Sequence, residues 1–206
     1  MIQARDAFLE LGLYDFLIEF ILKLDLGKGR FANFLEIGCG SAYYLDKMAK
    51  SLSIKEVYGS DISKEAIKFC AKKYKNYHFS VDNSFDLNFR DNCFDLILSI
   101  FSPFKNSEIE RILAKKGCFV LVRQNTGHLK EIYKQVGMPE KEKSAVIFEN
   151  LKLVKSFDLK KRIKVSDEQL QLLIAMSPLA WKIDQEAISP KAIKQITVSF
   201  KIAIYS

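Results

Sequence analysis

The segment LEIGCGSAYY contains a glycine pair that could bring the main chain close to a ligand. Gly38 and Gly40 follow a short apolar run, and Glu36 lies just before them. Glycine has no Cβ, so a turn built on it lets a ligand approach the backbone amides closely. Ser41 follows the pair, and the third glycine of the dinucleotide-binding fingerprint is absent. On its own, a GxG turn after a strand is a weak indication of a nucleotide-like ligand.

Polar side chains follow the next two predicted strands. Asp61 ends the second strand, about 20 residues beyond Gly40, where a carboxylate can accept hydrogen bonds from both hydroxyls of a ribose. Asn83 and Ser84 follow the third strand, and either the amide or the neighbouring carboxylate of Asp82 could contact an adenine amino group. Ligands of open parallel sheets bind outside the carboxyl ends of the strands, so we expect these residues to meet there.

Strands and helices alternate along most of the chain, which is the arrangement that brings such residues to one sheet edge. Near-continuous apolar runs predict buried parallel strands, and helical periodicity predicts the segments that cover both faces. The predicted strands are 31–37, 56–60, 78–81, 94–100, 117–123, 151–164 and 196–204. The predicted helices are 4–24, ended by Gly27 to Gly29; 42–52; 63–73, capped by Ser63; 106–114; and one opened by the capping box Ser166-x-x-Gln169. The pattern predicts an α/β fold with a mostly parallel, seven-stranded sheet and helices on both faces.

The chain has 206 residues, without a repeat or a low-complexity linker, which favours one domain. We divide it into an N-terminal helical segment, 1–30, a cofactor-binding half, 31–136, and a C-terminal substrate-side half, 137–206. The four cysteines are too widely spaced to form a CxxC metal or redox pair, so we expect no metal. No stretch has the length of a membrane span and no signal peptide is recognisable, which predicts a cytoplasmic protein without a membrane partner.

Lysine and arginine outnumber aspartate and glutamate by 32 to 25, giving a net charge of +7. The excess includes Lys72-Lys73-Tyr74-Lys75 and Lys160-Lys161-Arg162, and such clusters suit an anionic partner, above all nucleic acid. The alternative is that a lysine-rich composition alone accounts for the charge. The nucleic-acid interpretation requires that the two clusters share one face.

An acid before the glycines, an acid after strand two and polar residues after strand three resemble the Rossmann-like class I S-adenosylmethionine-dependent methyltransferases. A nicotinamide-dependent reductase is the rival, and the missing third glycine and the DNCFDLILS strand disfavour it. Within the class, the chain resembles the methyltransferase domain of the 23S ribosomal RNA (guanine-N1-)-methyltransferase family from about Arg5 to Trp181. The matching segments are RDAFLELGLY, IGCGSAYY, DISKEAIKFCAKKY, IFSPFK, HLKEI beginning at His128, and LLIAMSPLAW.

The resemblance implies S-adenosylmethionine as the cofactor and N1 of a guanine in ribosomal RNA as the acceptor. Tyr14 would approach the cofactor from the N-terminal helix, and Gly40 with Ser41 would line its methionine end. Asp61 would hold the ribose. The full set of implied cofactor-binding residues is Tyr14, Glu36, Gly38, Cys39, Gly40, Ser41, Asp61, Ile62, Asn83, Ser84 and His128. His128, after strand five, would lie beside the cofactor or the target, although a lone histidine is often structural.

Ser102, Pro103 and Phe104 follow strand four, the strand that faces the reacting methyl group in this fold. They loosely resemble the segment in which amino-methylating enzymes hold a flipped base against an aromatic ring. The alternative is a turn in which Pro103 ends the strand and Phe104 covers the core. As a hypothesis, N1 of a flipped guanine attacks the methyl group in line after losing its proton to His128, to a backbone carbonyl near Ser102, or to water.

Family members typically begin with a small zinc-binding module that helps to grip the RNA, and we expect this chain to represent the methyltransferase domain without it. RNA recognition would then rest on the catalytic domain or on a partner in a homodimer, or it has been lost. The alternatives are a methyltransferase acting on a small molecule or a protein, and a cofactor-binding relative without ribosomal RNA activity.

The segment LLIAMSPLAW would form the end of a buried helix and a turn. Leu172, Leu173 and Met176 fit a stripe that faces the core. Periodicity alone assigns Trp181 to packing, whereas the resemblance moves Ser177 to Trp181 toward the rim of the acceptor pocket, on the substrate side.

Overall fold

The central strands are apolar on both faces because helices cover both sides of the sheet. The computed structural model describes residues 2–24, 26, 31–139, 145–177 and 193–206. Its strands are β1 (Asn33–Ile37), β2 (Glu56–Asp61), β3 (His78–Val81), β4 (Phe94–Ile100), β5 (Leu113–Gln124), β6 (Leu153–Lys164) and β7 (Gln195–Tyr205). Its helices are α1 (Ile2–Glu10), α2 (Asp15–Lys23), α3 (Tyr43–Leu52), α4 (Lys64–Lys73), α5 (Asn106–Ile112), α6 (Lys130–Gln135) and α7 (Asp167–Met176).

The strands form one seven-stranded sheet in the order β3-β2-β1-β4-β5-β7-β6. The first five are parallel, whereas β7 is antiparallel to both β5 and β6. One core lies between the sheet and α1, α2, α3 and α7. A second core lies on the opposite face, beneath α5 and the 146–151 segment. The predicted α/β fold with a mostly parallel sheet is confirmed.

The N-terminal prediction was wrong in one respect, because residues 4–24 form two helices and not one. Gly12 stands between them with φ = +70°, a left-handed conformation that glycine adopts readily and that ends α1. Asp15 then opens α2 and binds α3, accepting hydrogen bonds from Tyr43 Oη at 2.6 Å and Lys47 Nζ at 2.7 Å. The predicted stop at Gly27 to Gly29 lies outside the described residues.

Two boundaries near the other end of the sheet also differ from the sequence prediction. The helix expected over 106–114 ends at Ile112, and β5 begins at once at Leu113, ahead of the predicted Gly117. In α7 the capping box at Ser166 is confirmed, with its hydroxyl accepting from Gln169 N. The core-facing stripe of α7 consists of Leu170, Leu173 and Ile174, whereas Leu172 and Met176 are only half-buried.

Strand β7 alternates apolar and polar residues as predicted, yet its polar positions Thr197 and Ser199 are buried as well. Thr197 is buried because α6 lies against it. Glu131 of that helix accepts hydrogen bonds from Thr197 N at 2.8 Å and Thr197 Oγ1 at 2.6 Å. Burial raises the pKa of the Glu131 carboxyl, but the two Thr197 hydrogen bonds outweigh burial and leave the pKa below its usual value.

Glu131→Gln should therefore destabilise the protein in a pH-dependent way. A carboxylate with a depressed folded-state pKa contributes stability above the unfolded-state pKa of about 4.3, and that contribution is lost as pH falls through the folded-state value. We expect a loss of about 1–2 kcal/mol at pH 7 in urea unfolding, shrinking as pH falls below about 4. Glu19→Gln, the same change at an exposed position of α2, should have little effect. A Glu131→Gln deficit that does not change with pH would contradict this assignment.

Candidate functional site

The glycine pair forms a turn that connects β1 to α3 at the carboxyl edge of the parallel strands. Gly38 and Gly40 both have positive φ, +66° and +54°. Cys39 N donates to Ser60 O at 2.9 Å, which continues the pairing between β1 and β2 into the turn. The thiol of Cys70 in α4 donates to Gly40 O at 3.0 Å. The turn is thereby held by its neighbours on two sides, with its amides at the sheet edge.

Asp61 fixes this turn to the next helix. Its Oδ2 accepts from Gly40 N at 2.9 Å and its Oδ1 accepts from Ser63 N at 2.8 Å. A carboxylate oxygen can accept more than one hydrogen bond, so both oxygens keep capacity for a ligand hydroxyl. Asp61 can hold the backbone of the site and contact a ribose at the same time.

A cavity of about 430 Å³ opens beside this turn. Its lining includes two of the residues that the sequence predicted, Gly40 and Asp61. It also includes Arg5 of α1, Ser63 at the start of α4, and Met176 at the end of α7. Helices α1 and α7 therefore help to build the wall of a pocket that Gly40 of the glycine turn also lines.

Three predicted residues carry a buried polar atom that has no hydrogen-bond partner among the described residues. These atoms are Tyr14 Oη, Glu36 Oε2 and Ser41 Oγ. Buried polar groups are nearly always hydrogen-bonded in native proteins, so each unpaired group needs an explanation. A polar ligand bound at the glycine turn would supply one.

Glu36 is almost fully buried. Burial raises the pKa of its carboxyl well above the usual range, while the positive charge of Arg5 and a hydrogen bond from the backbone of Leu45 act in the opposite direction. At the neighbouring Cys39, a hydrogen bond with Cys70 and burial raise the pKa of the thiol well above its usual value. Burial therefore favours the neutral form of the Glu36 carboxyl, and a cationic group beside it would favour the charged form.

Arg5 is the site residue that the sequence analysis missed, although it begins the quoted segment RDAFLELGLY. Its Nε would lie 3.1 Å from a Cβ added to Gly40, so the guanidinium overlies the glycine turn. Among the described residues it makes no hydrogen bond and no ion pair, although its charge acts on the buried Glu36 and Asp61 lines the same cavity. An unpaired, half-buried cation in a pocket is suited to an anionic group of a ligand.

The residues predicted near an adenine lie at the same sheet edge, but they are not among the described residues that line the cavity. Ile62 is 74% exposed beside Asp61. Asn83 Oδ1 accepts from Phe85 N at 3.0 Å in a local turn. The Asp82 carboxylate is buried and accepts hydrogen bonds from Ser80 and from Asn88. Asp82 therefore supports the loop that presents Asn83 and Ser84.

The segment after β4 turns sharply at Phe101, a non-glycine residue with φ = +58°. Such a conformation is strained, and it is typical of functional sites. The turn carries Ser102 directly against the glycine pair, where a Cβ added to Gly38 would overlap the Ser102 side chain. The segment lines a second cavity of about 380 Å³ together with Asn106, Arg123 and Val146. Phe104 packs edge-on against Phe119 and stacks on Phe148, so part of its ring surface belongs to the second core.

Phe200 of β7 joins the remaining predicted residues into one aromatic group. Its ring centroid lies 5.2 Å from those of Phe101 and His128 and 5.5 Å from that of Tyr14. His128 is buried, and its Nδ1 accepts from Ser199 N at 3.2 Å. A backbone amide can only donate, so a neutral His128 carries its ring proton on Nε2.

The two basic clusters lie at opposite edges of the sheet, so they do not form the single basic surface that the charge argument based on both together requires. Lys73 lies on α4, next to edge strand β3, and it binds Asp6 at 2.9 Å and Glu10 at 2.8 Å. Lys160 to Arg162 lie on β6, the opposite edge strand of the sheet. The first cluster thus serves in part to hold α1 in place.

Ser177 is the last residue of the LLIAMSPLAW segment that the structure describes. It is buried, and its Oγ donates to Ile174 O at 3.0 Å. Trp181 lies outside the described residues.

Within the described ranges, no group of three or more metal-ligating side chains is found. No helix in the same ranges is both long and apolar enough to cross a membrane.

The chain is similar in sequence to a methyltransferase domain family and to two curated methyltransferases. A family model described as a methyltransferase domain matches residues 30–164. A Bacillus subtilis protein, YxjB, provisionally named 23S rRNA (guanine-N(1)-)-methyltransferase, is 26% identical over 190 residues, which cover 86% of this chain and 66% of that protein. The 23S rRNA (guanine(748)-N(1))-methyltransferase of Streptomyces fradiae is 24% identical over 99% of this chain and 78% of its own length. The resemblance drawn from sequence motifs is thereby confirmed.

Solved structures agree on the fold. One is a protein of Haloferax volcanii, provisionally named a methyltransferase and solved in complex with the Trm112 methyltransferase activator. It has a TM-score of 0.59 at 16% identity, and the match covers 98% of this chain and 92% of that protein's chain. A similarly named protein of Bacillus halodurans has a TM-score of 0.57 at 13% identity, covering 91% of this chain and 96% of its own. At these identities the likeness concerns the fold alone.

Gly38→Ala tests whether the glycine turn and the segment after β4 are packed as one unit. We expect the substitution to cost about 1–2 kcal/mol for its left-handed backbone and about 1–3 kcal/mol more for the overlap with Ser102. Gly137→Ala is the matched control, since Gly137 has φ = +64° but no atom within 4 Å of an added Cβ. In urea unfolding, Gly38→Ala should be the more destabilising change. The double variant Gly38→Ala/Ser102→Gly should recover the difference, and purely additive effects would contradict the contact.

Proposed function

Because this chain belongs to the methyltransferase domain family, we propose that it transfers a methyl group from S-adenosylmethionine to N1 of a guanine in ribosomal RNA. The observation that carries the cofactor assignment is the pair of unpaired buried polar atoms at Glu36 and Ser41, which flank the glycine turn in the chain; the hydroxyl of Tyr14 is a third such atom. The two curated relatives, whose names specify guanine N1 of 23S ribosomal RNA, support the acceptor assignment. The chain matches 66% of the length of one of them, so its substrate is part of the proposal.

The residues present fit the ribose and the amino acid end of the cofactor. Asp61 would accept the ribose hydroxyls through the remaining capacity of its oxygens. The amino acid end of the cofactor carries an ammonium and a carboxylate, and the site offers each a partner: Glu36 with Ser41 for the ammonium, and Arg5 with the hydroxyl of Tyr14 for the carboxylate. Burial raises the pKa of Tyr14 above its usual value, which keeps the hydroxyl protonated as a donor.

When bound, S-adenosylmethionine supplies an electrophilic methyl group on a positively charged sulfonium. The protein's contribution is then to bring the acceptor to that methyl group and to exclude misaligned approaches. Ser102 touches the glycine turn, so the acceptor segment begins next to the cofactor-binding backbone. The cavity lined by Phe101, Pro103 and Phe104 would receive the guanine, with the segment's backbone positioning its edge.

His128 fits a positioning role better than that of a base. Its Nδ1 already accepts the Ser199 amide, and in the neutral ring Nε2 is a donor. Protonating the ring at Nδ1 would break the Ser199 hydrogen bond in a buried place. We therefore assign removal of the guanine N1 proton to water, with the main chain near Ser102 as hydrogen-bond acceptor during the approach.

The acceptor assignment predicts that the protein labels ribosomal RNA. Incubation with tritiated S-adenosylmethionine and 23S ribosomal RNA lacking the modification should incorporate label, and nuclease digestion should recover it as 1-methylguanosine. RNA that already carries the modification is the control and should remain unlabelled. Label in another nucleoside would overturn the guanine N1 assignment. Absence of label, with cofactor binding intact, would favour a small-molecule or protein acceptor.

Arg5→Ala tests the placement of the cofactor's carboxylate. Calorimetry should show S-adenosylmethionine binding about 10- to 100-fold more weakly, because a charge-assisted hydrogen bond contributes about 1.5–3 kcal/mol. Binding of 5′-methylthioadenosine, which lacks the carboxylate and the ammonium, should be unchanged and also reports that the pocket is folded. Arg5→Lys should recover part of the lost affinity. Equal losses for both ligands would show that Arg5 supports the pocket and does not bind the carboxylate.

A further inference from the structure

The second half of β6 projects beyond the end of β5. Phe200 of β7 is the partner of Gln124, the last residue of β5, and also of Leu159 in β6. Both β5 and β6 are antiparallel to β7, so they run in the same direction. Residues 160–164 therefore extend past the carboxyl edge of the parallel strands, on the side where the glycine turn and the segment after β4 lie.

Three basic side chains lie on one face of this projecting half. Lys160, Arg162 and Lys164 alternate along the strand, so they point to the same side at intervals of about 6.6 Å. All three are exposed, and none makes an ion pair within the part of the chain that the structure describes. The next acid on that face, Asp158, already accepts hydrogen bonds from Lys201 at 3.3 Å and Asn125 at 3.0 Å. The row is thus an uncompensated line of positive charge.

The row begins beside the candidate acceptor site. The ammonium of Lys160 lies 3.4 Å from where a Cβ on Gly127 would be, and Gly127 directly precedes His128. The ring of His128 in turn contacts Phe101, at the start of the segment after β4, with centroids 6.3 Å apart. On the opposite face of the strand, Lys161 lies over the ring of Phe16 at 4.9 Å. Cations and partly buried aromatic rings therefore adjoin the site at this edge.

We propose that Lys160, Arg162 and Lys164 form a docking row for the phosphate backbone of the RNA strand that presents its base to the acceptor site. The inference rests on the proposed function and extends it to a binding surface. A single phosphate is bound by donors that converge on one point, whereas these three diverge from an extended strand at regular intervals. Regularly repeated, unpaired cations suit a polyanion with regularly repeated charges, and binding such a polymer releases its condensed counterions.

The test compares two triple variants that remove the same charge. Lys160→Gln/Arg162→Gln/Lys164→Gln removes the row. Lys115→Gln/Lys116→Gln/Lys152→Gln removes three exposed lysines near the opposite, amino edge of the parallel strands. The affinity of each protein for an unmodified 23S ribosomal RNA fragment is measured between about 50 and 200 mM salt. Calorimetry with S-adenosylmethionine accompanies each, because neither triple touches the cofactor cavity and both should bind it as the wild type does.

For the row variant we expect RNA affinity to fall about 10- to 100-fold at low salt. The slope of log K against log salt should decrease in magnitude by about 2, because each of the three lost phosphate contacts contributes about 0.7 to that slope. The control triple should leave the slope nearly unchanged. Equal losses of RNA affinity in the two triple variants would show that net charge alone accounts for the effect, and this result would overturn the proposed docking row. A row variant that binds RNA like the wild type would overturn it as well, with the proposed methylation intact. Wild-type protein that binds no RNA would overturn both proposals.

Discussion

The carboxylate of Asp61 is the interaction on which the arrangement of the site depends. Its two oxygens join the glycine turn after β1 to the start of α4. The main-chain carbonyl of Asp61 also accepts a hydrogen bond from Asp82 N at 3.1 Å, and this bond connects the end of β3 to the same residue. Three segments that are distant in sequence are thus held at one residue. A ligand hydroxyl that also binds Asp61 would meet an acceptor whose orientation is already fixed, so little ordering remains to oppose binding.

The opposite side of the site depends on close packing at Gly38. Only a residue without a Cβ lets Ser102 approach the turn this closely. Phe101 adopts a left-handed conformation to make that approach, and its ring is held by Phe200 and His128. The surrounding aromatic packing offsets a backbone strain of about 1–3 kcal/mol, which is the usual condition for strain to persist at a site. Cofactor-side and acceptor-side segments are therefore coupled by contact.

The sequence predicts the parts of this molecule that depend on local pattern. Continuous apolar runs identify the buried strands, and the caps at Ser63 and Ser166 lie where hydroxyl residues precede helical periodicity. The break at Gly12 was missed because a single glycine within a helical pattern is often tolerated. The ion pairs of Lys73 with Asp6 and Glu10 join residues more than 60 positions apart, and no local pattern reports such pairs. For the same reason the segment RDAFLELGLY includes Arg5 but does not indicate that its side chain lies at the glycine turn.

The order of the strands places the candidate cofactor site and the proposed RNA-docking row at the same end of one sheet. Strand β7 lies antiparallel between β5 and β6, and β6 remains as the edge strand of the sheet, with most of its residues exposed. An exposed edge strand invites unwanted strand pairing, and charged side chains are a common protection against it. In β6 that protective charge is positive and lies beyond the end of β5, next to the segment after β4. A feature that keeps the edge from pairing with other strands is thereby also placed to attract a polyanion to the site.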